Sequence, residues 1–330
     1  MSTPFTRTLG RSRIEISALG LGCWAIGGPA WAGETPIGWG EVDDEESIRA
    51  LRHAMELGVT FFDTANVYGA GHSERVLARA FAGQRSKVVI ATKFNALFDE
   101  STRQVTGSDS SPAGIRKACE ESLRRLETDY IDLYQFHDNG FPAEQAGPVR
   151  ETLEELVSEG KIRAYGWSTD FPRNAEYFAG GEHCATIQVE LNVLDDNAAI
   201  IALCEKYNLA AINRGPLAMG LLTGKYDSTV RLSADDVRGV KSPEWMKYFK
   251  QGQPNPEFIK KVGAVREILS SDGRTLSQGA LAWLWARSPK TVPIPGFRTV
   301  AQVDETARAL SFGPLTEAQY LEVEQILGRA

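Results

Sequence analysis

Short β-rich runs alternate with amphipathic helical stretches along nearly the whole chain, and this rhythm limits the folds open to it. Eight runs read as strands: 19–22, 59–63, 88–93, 130–137, 162–167, 186–189, 209–213 and 291–294. Helical signals lie between them. Asp43 and Asp44 open a helix with Ile48, Leu51 and Met55 on one face, and Gly58 ends it. Ser111–Pro112 reads as an N-cap followed by a first-turn proline. Further helices are expected over 73–81, 144–159, 172–178, 198–207, 257–269, 276–286, 300–310 and 316–327.

Strict β–α alternation implies parallel strands joined by right-handed crossovers. Eight such units predict an α/β fold, a closed (β/α)₈ TIM barrel with its chemistry at the C-terminal strand ends. The rival is an open doubly wound sheet. It lacks support because no G-x-G-x-x-G joins an early strand to a helix. Residues 5–9 and 14–17 predict an opening β-hairpin around Gly10, and the last helices are additions to the barrel. The whole chain, 1–330, reads as one barrel domain. From 225 to 255 the rhythm breaks into a stretch with Gly239, Pro243, Gly252 and Pro254, read as a lid inserted at a strand end.

Composition excludes several other classes. The net charge is -7, and no basic cluster supplies a footprint for nucleic acid. No apolar run is long enough to span a bilayer, and the first nine residues lack a signal-peptide core. Cys23, Cys119, Cys184 and Cys204 are too scattered for a disulfide scaffold and read as reduced thiols, which points to the cytoplasm. The four histidines form no cluster with cysteine, so no metal is expected.

Polar residues that carry chemistry fall at successive strand ends. Asp63 ends the second strand and Tyr68 follows on its loop, Lys93 ends the third, and His137 ends the fourth. Neighbouring strands in a barrel bring such groups together. A free tyrosine titrates near pH 10, and an adjacent ammonium lowers that value. Lys93 is expected to act this way on Tyr68, with Asp63 holding the lysine and His137 meeting a substrate oxygen. The set is suited to protonating a carbonyl oxygen as it becomes an alkoxide.

The segments FFDTANVYGAGHSE (61–74), VVIATKF (88–94), YIDLYQFHD (130–138), YGWSTD (165–170), TIQVELN (186–192), GPLAMGLLTGKY (215–226) and VPIPGFRT (292–299) occur in that order. Together they resemble the aldo-keto reductases, in particular the bacterial branch with long loops. The resemblance implies a catalytic tetrad of Asp63, Tyr68, Lys93 and His137, and hydride exchange between NADP(H) and a carbonyl or alcohol, with NAD(H) not excluded. The expected substrates are aldehydes or ketones, sugar-derived or small. The alternative is a cofactor-binding regulatory subunit like the potassium-channel β subunits, which share the barrel.

The same resemblance assigns cofactor residues. Ser168, Thr169 and Gln188 stand where the nicotinamide carboxamide is held, although the second position is commonly asparagine. Gly215, Pro216, Leu217, Gly220 and Lys225 lie on the pyrophosphate loop. Gly296, Arg298, Gln302 and Thr306 lie at the adenosine end, with Arg298 placed for the 2′-phosphate. Arg214 takes the place of the usual aromatic that stacks on the nicotinamide. It is expected either to stack there and disfavour the oxidised ring, or to turn to a carboxylate. Trp24, Trp31 and Trp39 are expected to wall the substrate, opposite Trp245, Tyr248 and Phe249 of the insertion.

Overall fold

Eight parallel strands form the frame of the computed structural model, which describes residues 5–329. They are β1 (Gly20–Gly22), β2 (Phe61–Asp63), β3 (Val89–Phe94), β4 (Ile131–Phe136), β5 (Ile162–Ser168), β6 (Cys184–Glu190), β7 (Ala210–Arg214) and β8 (Thr291–Pro293). Each pairs with its sequential neighbours, and the ring closes where Gly22 bridges Gly296 and its N–H donates to the Pro295 carbonyl at 3.0 Å. The expected barrel is therefore present.

Side-chain alternation makes two apolar layers. Ala91, Leu133, Ala164, Ala210 and Ile212 point into the barrel. Ile90, Tyr134, Tyr165, Ile187 and Ala211 point out against the helices. The strands are covered on both faces, which is why their sequences read as nearly unbroken apolar runs. The hairpin Thr6–Thr8 with Glu15–Ser17 sends Leu9, Ile14 and Ile16 into the inner layer and plugs the barrel floor.

The helices follow the sequence signals closely. In α1 (Asp44–Glu56) the Asp43 carboxylate accepts from the Glu45 and Glu46 amides, and Ile48, Leu51 and Ala54 are buried. Next come α2 (His72–Ala80), α3 (Pro112–Leu126, capped by Ser111), α4 (Gly147–Ser158), α5 (Pro172–Ala179) and α6 (Ala198–Tyr207). The helix expected from 144 starts later because Pro148 fixes the first turn, and Ala143–Gln145 is only a 3₁₀ turn. After β7 come α7 (Pro256–Leu269) and α8 (Leu276–Arg287), and after β8 come α9 (Val300–Ala307) and α10 (Glu317–Ile326).

A small second sheet was not expected. It joins Trp31–Ala32, Thr35–Pro36, Ala96–Asp99 and Gln104–Ser108. Two of its strands have only two residues, too short for any alternation to register. The insertion is largely irregular, with one short ladder, Phe249–Lys250 against Gln253–Pro254. It is strapped to the loop after β1: Val237 donates to the Gly38 carbonyl at 3.0 Å, and Asp236 bridges Trp39.

Candidate active site

Asp63 closes β2, Lys93 lies in β3, and His137 directly follows β4, so the register of three adjacent strands brings them to one end of the barrel. The Lys93 ammonium donates to Asp63 Oδ1 at 2.6 Å, to the Thr64 carbonyl at 2.7 Å and to Tyr68 Oη at 3.4 Å. The second Asp63 oxygen accepts from Gln135 at 2.9 Å and from Gln188 at 2.7 Å. Lys93 is fully buried and Asp63 nearly so. A buried ion pair persists only with its remaining hydrogen-bond capacity filled, and the two glutamines and the carbonyl do this.

Tyr68 reaches Lys93 from a loop that packs tightly on the loop after β1. A Cβ at Gly69 would fall 1.8 Å from the Gly27 carbonyl oxygen, and Gly69 has φ 61°, so only glycine fits there. The Tyr68 ring stacks on Trp24, with centroids 5.9 Å apart, and meets His137 edge-on at 6.1 Å.

Burial sets the protonation states. Burial first, then the Lys93 and Arg214 charges, press the His137 pKa down to about 3, so the imidazole is neutral near pH 7. Burial opposes the Lys93 charge, but Asp63 and Tyr68 outweigh it, and its pKa stands above the ordinary lysine value. Tyr68 corrects an expectation. Burial raises its pKa more than Lys93 lowers it, so the hydroxyl stands above the usual phenol value rather than below it.

The tetrad lies at a cavity of about 720 Å³ that runs across the C-terminal end of the barrel. Asp63, Tyr68 and His137 line it, and Lys93 sits beneath them. So do Ser168, Gln188, Arg214, Gly215, Pro216, Leu217, Gly220, Lys225, Gly296, Arg298, Gln302 and Thr306. Trp24 and Trp39 form part of one wall, and Trp245 and Tyr248 of the insertion also line the cavity.

Three of the residues expected at the site lie elsewhere. Thr169 is buried outside the cavity, and its hydroxyl donates to the Asn139 carbonyl at 2.8 Å. Trp31 is held in the small sheet, paired with Gln104. Phe249 packs in the core, edge-on to Tyr226.

A model of the Aldo/keto reductase family matches residues 18–327 of the chain. The chain belongs to this family. Membership makes it an oxidoreductase of the carbonyl–alcohol class. It is 30% identical to "Aldo-keto reductase yakc [NADP(+)]" of Schizosaccharomyces pombe over 341 residues, covering 100% of this chain and 93% of that protein. Among solved structures it resembles a glycerol dehydrogenase of Gluconobacter oxydans, with TM-score 0.81 and 32% identity over 98% of this chain and 95% of the other. It also resembles an aldo/keto reductase of Klebsiella pneumoniae solved with NADP and acetate, with TM-score 0.70 and 25% identity over 99% of this chain and 97% of the other.

In this aldo-keto reductase Arg214 takes the second of its two expected courses. Its guanidinium is paired with Asp170 Oδ2 and lies 3.3 Å from Glu190 Oε2. The guanidinium still lines the cavity, and its charge is felt at His137. Arg298 donates to the carbonyls of Trp39 and Glu41, and its own amide donates to Gln302 Oε1 at 2.7 Å. Sequence reasoning missed several lining residues. Asn139, Asp170 and Glu190 are polar residues at strand ends, the same signal that marked the tetrad. Arg238 and Ser277 also line the cavity. Arg238 lies in the aperiodic insertion, and Ser277 in the first turn of a nearly fully buried helix, so neither stood out.

Proposed function

We propose that the chain is an NADP(H)-dependent aldo-keto reductase that reduces aldehydes or ketones, among them sugar-derived or small ones, to alcohols in a reversible reaction. The observation that carries this is the Lys93 ammonium, which touches Asp63 at 2.6 Å and the Tyr68 hydroxyl at 3.4 Å beneath a cavity also lined by His137.

The cavity fits a dinucleotide. Gln188 Oε1 and the buried Ser277 hydroxyl have no hydrogen-bond partner among the described residues, and both residues line the cavity. Gly220 has φ 100°, which bares backbone on the loop after β7. Lys225 forms no ion pair among the described residues, and Arg298 meets only backbone carbonyls and is exposed. The NADP named with the yeast relative and with the Klebsiella structure supports the same choice. Ser168 and Gln188 would hold the carboxamide, Gly215–Gly220 and Lys225 the phosphates, and Arg298, Gln302 and Thr306 the adenosine end. When bound, the reduced cofactor supplies the hydride.

The protein's own groups supply the proton. The Tyr68 hydroxyl is protonated at neutral pH and donates to the carbonyl oxygen as negative charge develops there. The Lys93 charge stabilises the phenolate left behind, and Asp63 keeps Lys93 in place. Neutral His137 has one N–H to orient the carbonyl. The four thiols are all unpaired, which supports a reducing compartment such as the cytoplasm. The test is turnover of an aldehyde and ketone panel with NADPH and with NADH. NADPH-dependent alcohol formation is expected, and cofactor binding without any turnover would favour a regulatory role.

A further inference from the structure

Four aromatic rings lead outward from the reacting end of the cavity. His137 meets the Tyr68 ring edge-on, and the Tyr68 ring stacks on Trp24 with centroids 5.9 Å apart. Trp24 in turn meets Trp245 of the insertion, with centroids 6.2 Å apart and ring planes 42° apart. Two rings sandwich a third when they are parallel and about 7 Å apart, twice the carbon contact distance. Trp24 and Trp245 are neither, so they form one continuous surface and not the facing walls expected from the sequence. Trp24 is fixed there because its indole N–H donates to the Ile37 carbonyl at 3.0 Å. The segment that carries Trp245 is fixed too: Asn192 donates to Tyr248 Oη at 2.7 Å, and the Lys247 ammonium lies 3.1 Å from Glu190 Oε1. Trp245 itself is 56% exposed, the most exposed of the seven tryptophans, and it lines the cavity. A lone exposed apolar side chain is ordinary on a protein surface. Here the exposed ring prolongs a row of rings that begins at Tyr68.

We propose that Trp24 and Trp245 are a substrate-binding shelf, and that it selects carbonyl compounds carrying a long, flat apolar group, such as aldehydes with two linked aromatic rings. This rests on the reductase reading above. With the carbonyl oxygen held at Tyr68 and His137, the first ring of such a substrate lies along Trp24. Trp245 meets Trp24 and not Tyr68, so it is one ring further out and reads the second ring of the substrate. Both substrate rings then leave water against apolar faces, and this supplies the gain in binding. A polyhydroxylated chain of equal length gains less. The one donor of Trp24 is already spent on Ile37, so hydroxyls laid on that ring give up water without finding a partner.

The test compares 4-biphenylcarboxaldehyde, benzaldehyde and glyceraldehyde with the intact protein and saturating NADPH. In the parent, kcat/KM for the two-ring aldehyde should exceed that for benzaldehyde by at least about tenfold, because only the longer one covers Trp245. The gain should sit in KM, since the shelf lies away from the reacting atoms and binds ground state and transition state alike. In Trp245→Ala the ratio should fall to within about threefold of unity. Trp245→Phe, which keeps an aromatic face, should retain most of it. Taking the ratio cancels any effect that acts on both aldehydes, and the exposure of Trp245 makes both variants compatible with the fold. A parent ratio near one, a ratio undiminished in Trp245→Ala, or as large a loss in Trp245→Phe as in Trp245→Ala overturns the shelf while the reductase reading stands. Reduction of glyceraldehyde but of neither aryl aldehyde does the same. If none of the three is reduced, both fall together.

Discussion

The Lys93 ammonium lies 2.6 Å from Asp63 Oδ1, with both side chains buried. The same ammonium is 3.4 Å from the Tyr68 hydroxyl. Lys93 thus meets the acid at one side and its own counter-ion at the other. Tyr68→Phe keeps the ring against Trp24 and removes only the hydroxyl. NADPH binding, followed by fluorescence titration, should survive. General acid–base catalysis is worth about 10²–10⁴-fold, so kcat for aldehyde reduction should drop at least about a hundredfold. Near-normal turnover by Tyr68→Phe would remove Tyr68 from the mechanism.

His137 predicts a pH dependence of stability. Its pKa falls to about 3 in the fold, from an ordinary value near 6.5 in the unfolded chain. Between these values the unfolded state takes up the proton first, so stability falls as pH falls. The loss should begin below about pH 6.5 and amount to a few kcal/mol by about pH 4, since each pKa unit is about 1.4 kcal/mol. His137→Gln should flatten that part of the curve when urea midpoints are measured across this range. An identical slope in parent and variant would show that other groups carry the acid sensitivity.

Arg298 tests the cofactor. If it meets the 2′-phosphate, Arg298→Ala should weaken NADPH binding much more than NADH binding, by about ten- to a hundredfold, the worth of a charge-assisted hydrogen bond. The variant also frees the Trp39 and Glu41 carbonyls, which Arg298 now ties. That loosening should affect both cofactors alike, so the ratio of their dissociation constants is the quantity to measure. An unchanged ratio would assign Arg298 to the loop alone.

The barrel was legible because its signals are local. The β-branched apolar run 88–93 reads as a strand, and Ser111–Pro112 reads as a helix start. The tetrad was legible because strand ends in a barrel are neighbours. What the sequence hid was long-range or too short. Trp31 was expected at the substrate wall, but a two-residue strand pairs it with Gln104, far along the chain. The fate of Arg214 depended on carboxylates 44 and 24 residues away, and no local pattern ranks them above a stacked ring. The direction of the Tyr68 shift was misjudged because a sequence reveals a nearby lysine more readily than the depth of burial.

The insertion supplies the last prediction. Its anchor is Arg238, which is buried, holds Asp236 through two hydrogen bonds of 2.9 and 2.7 Å, and donates to the Met219 carbonyl at 3.0 Å and Tyr226 Oη at 2.8 Å. Its guanidinium also lies 4.5 Å from the Trp39 ring centroid. One side chain thus joins the insertion to the loop after β7 and to the loop after β1. Arg238→Ala strands Asp236 with its carboxylate largely buried and removes the cation from Trp39, so local opening of 225–255 should become easier. The barrel below does not depend on these contacts, and its melting temperature should change little, because a segment can open without global unfolding. Limited proteolysis is the measurement. In the parent, cleavage within 225–255 should be slow and slower still with saturating NADPH. In Arg238→Ala it should be several-fold faster without cofactor, and NADPH should restore less protection. Equal cleavage rates in parent and variant, at equal melting temperature, would mean that Arg238 packs the insertion without holding it closed.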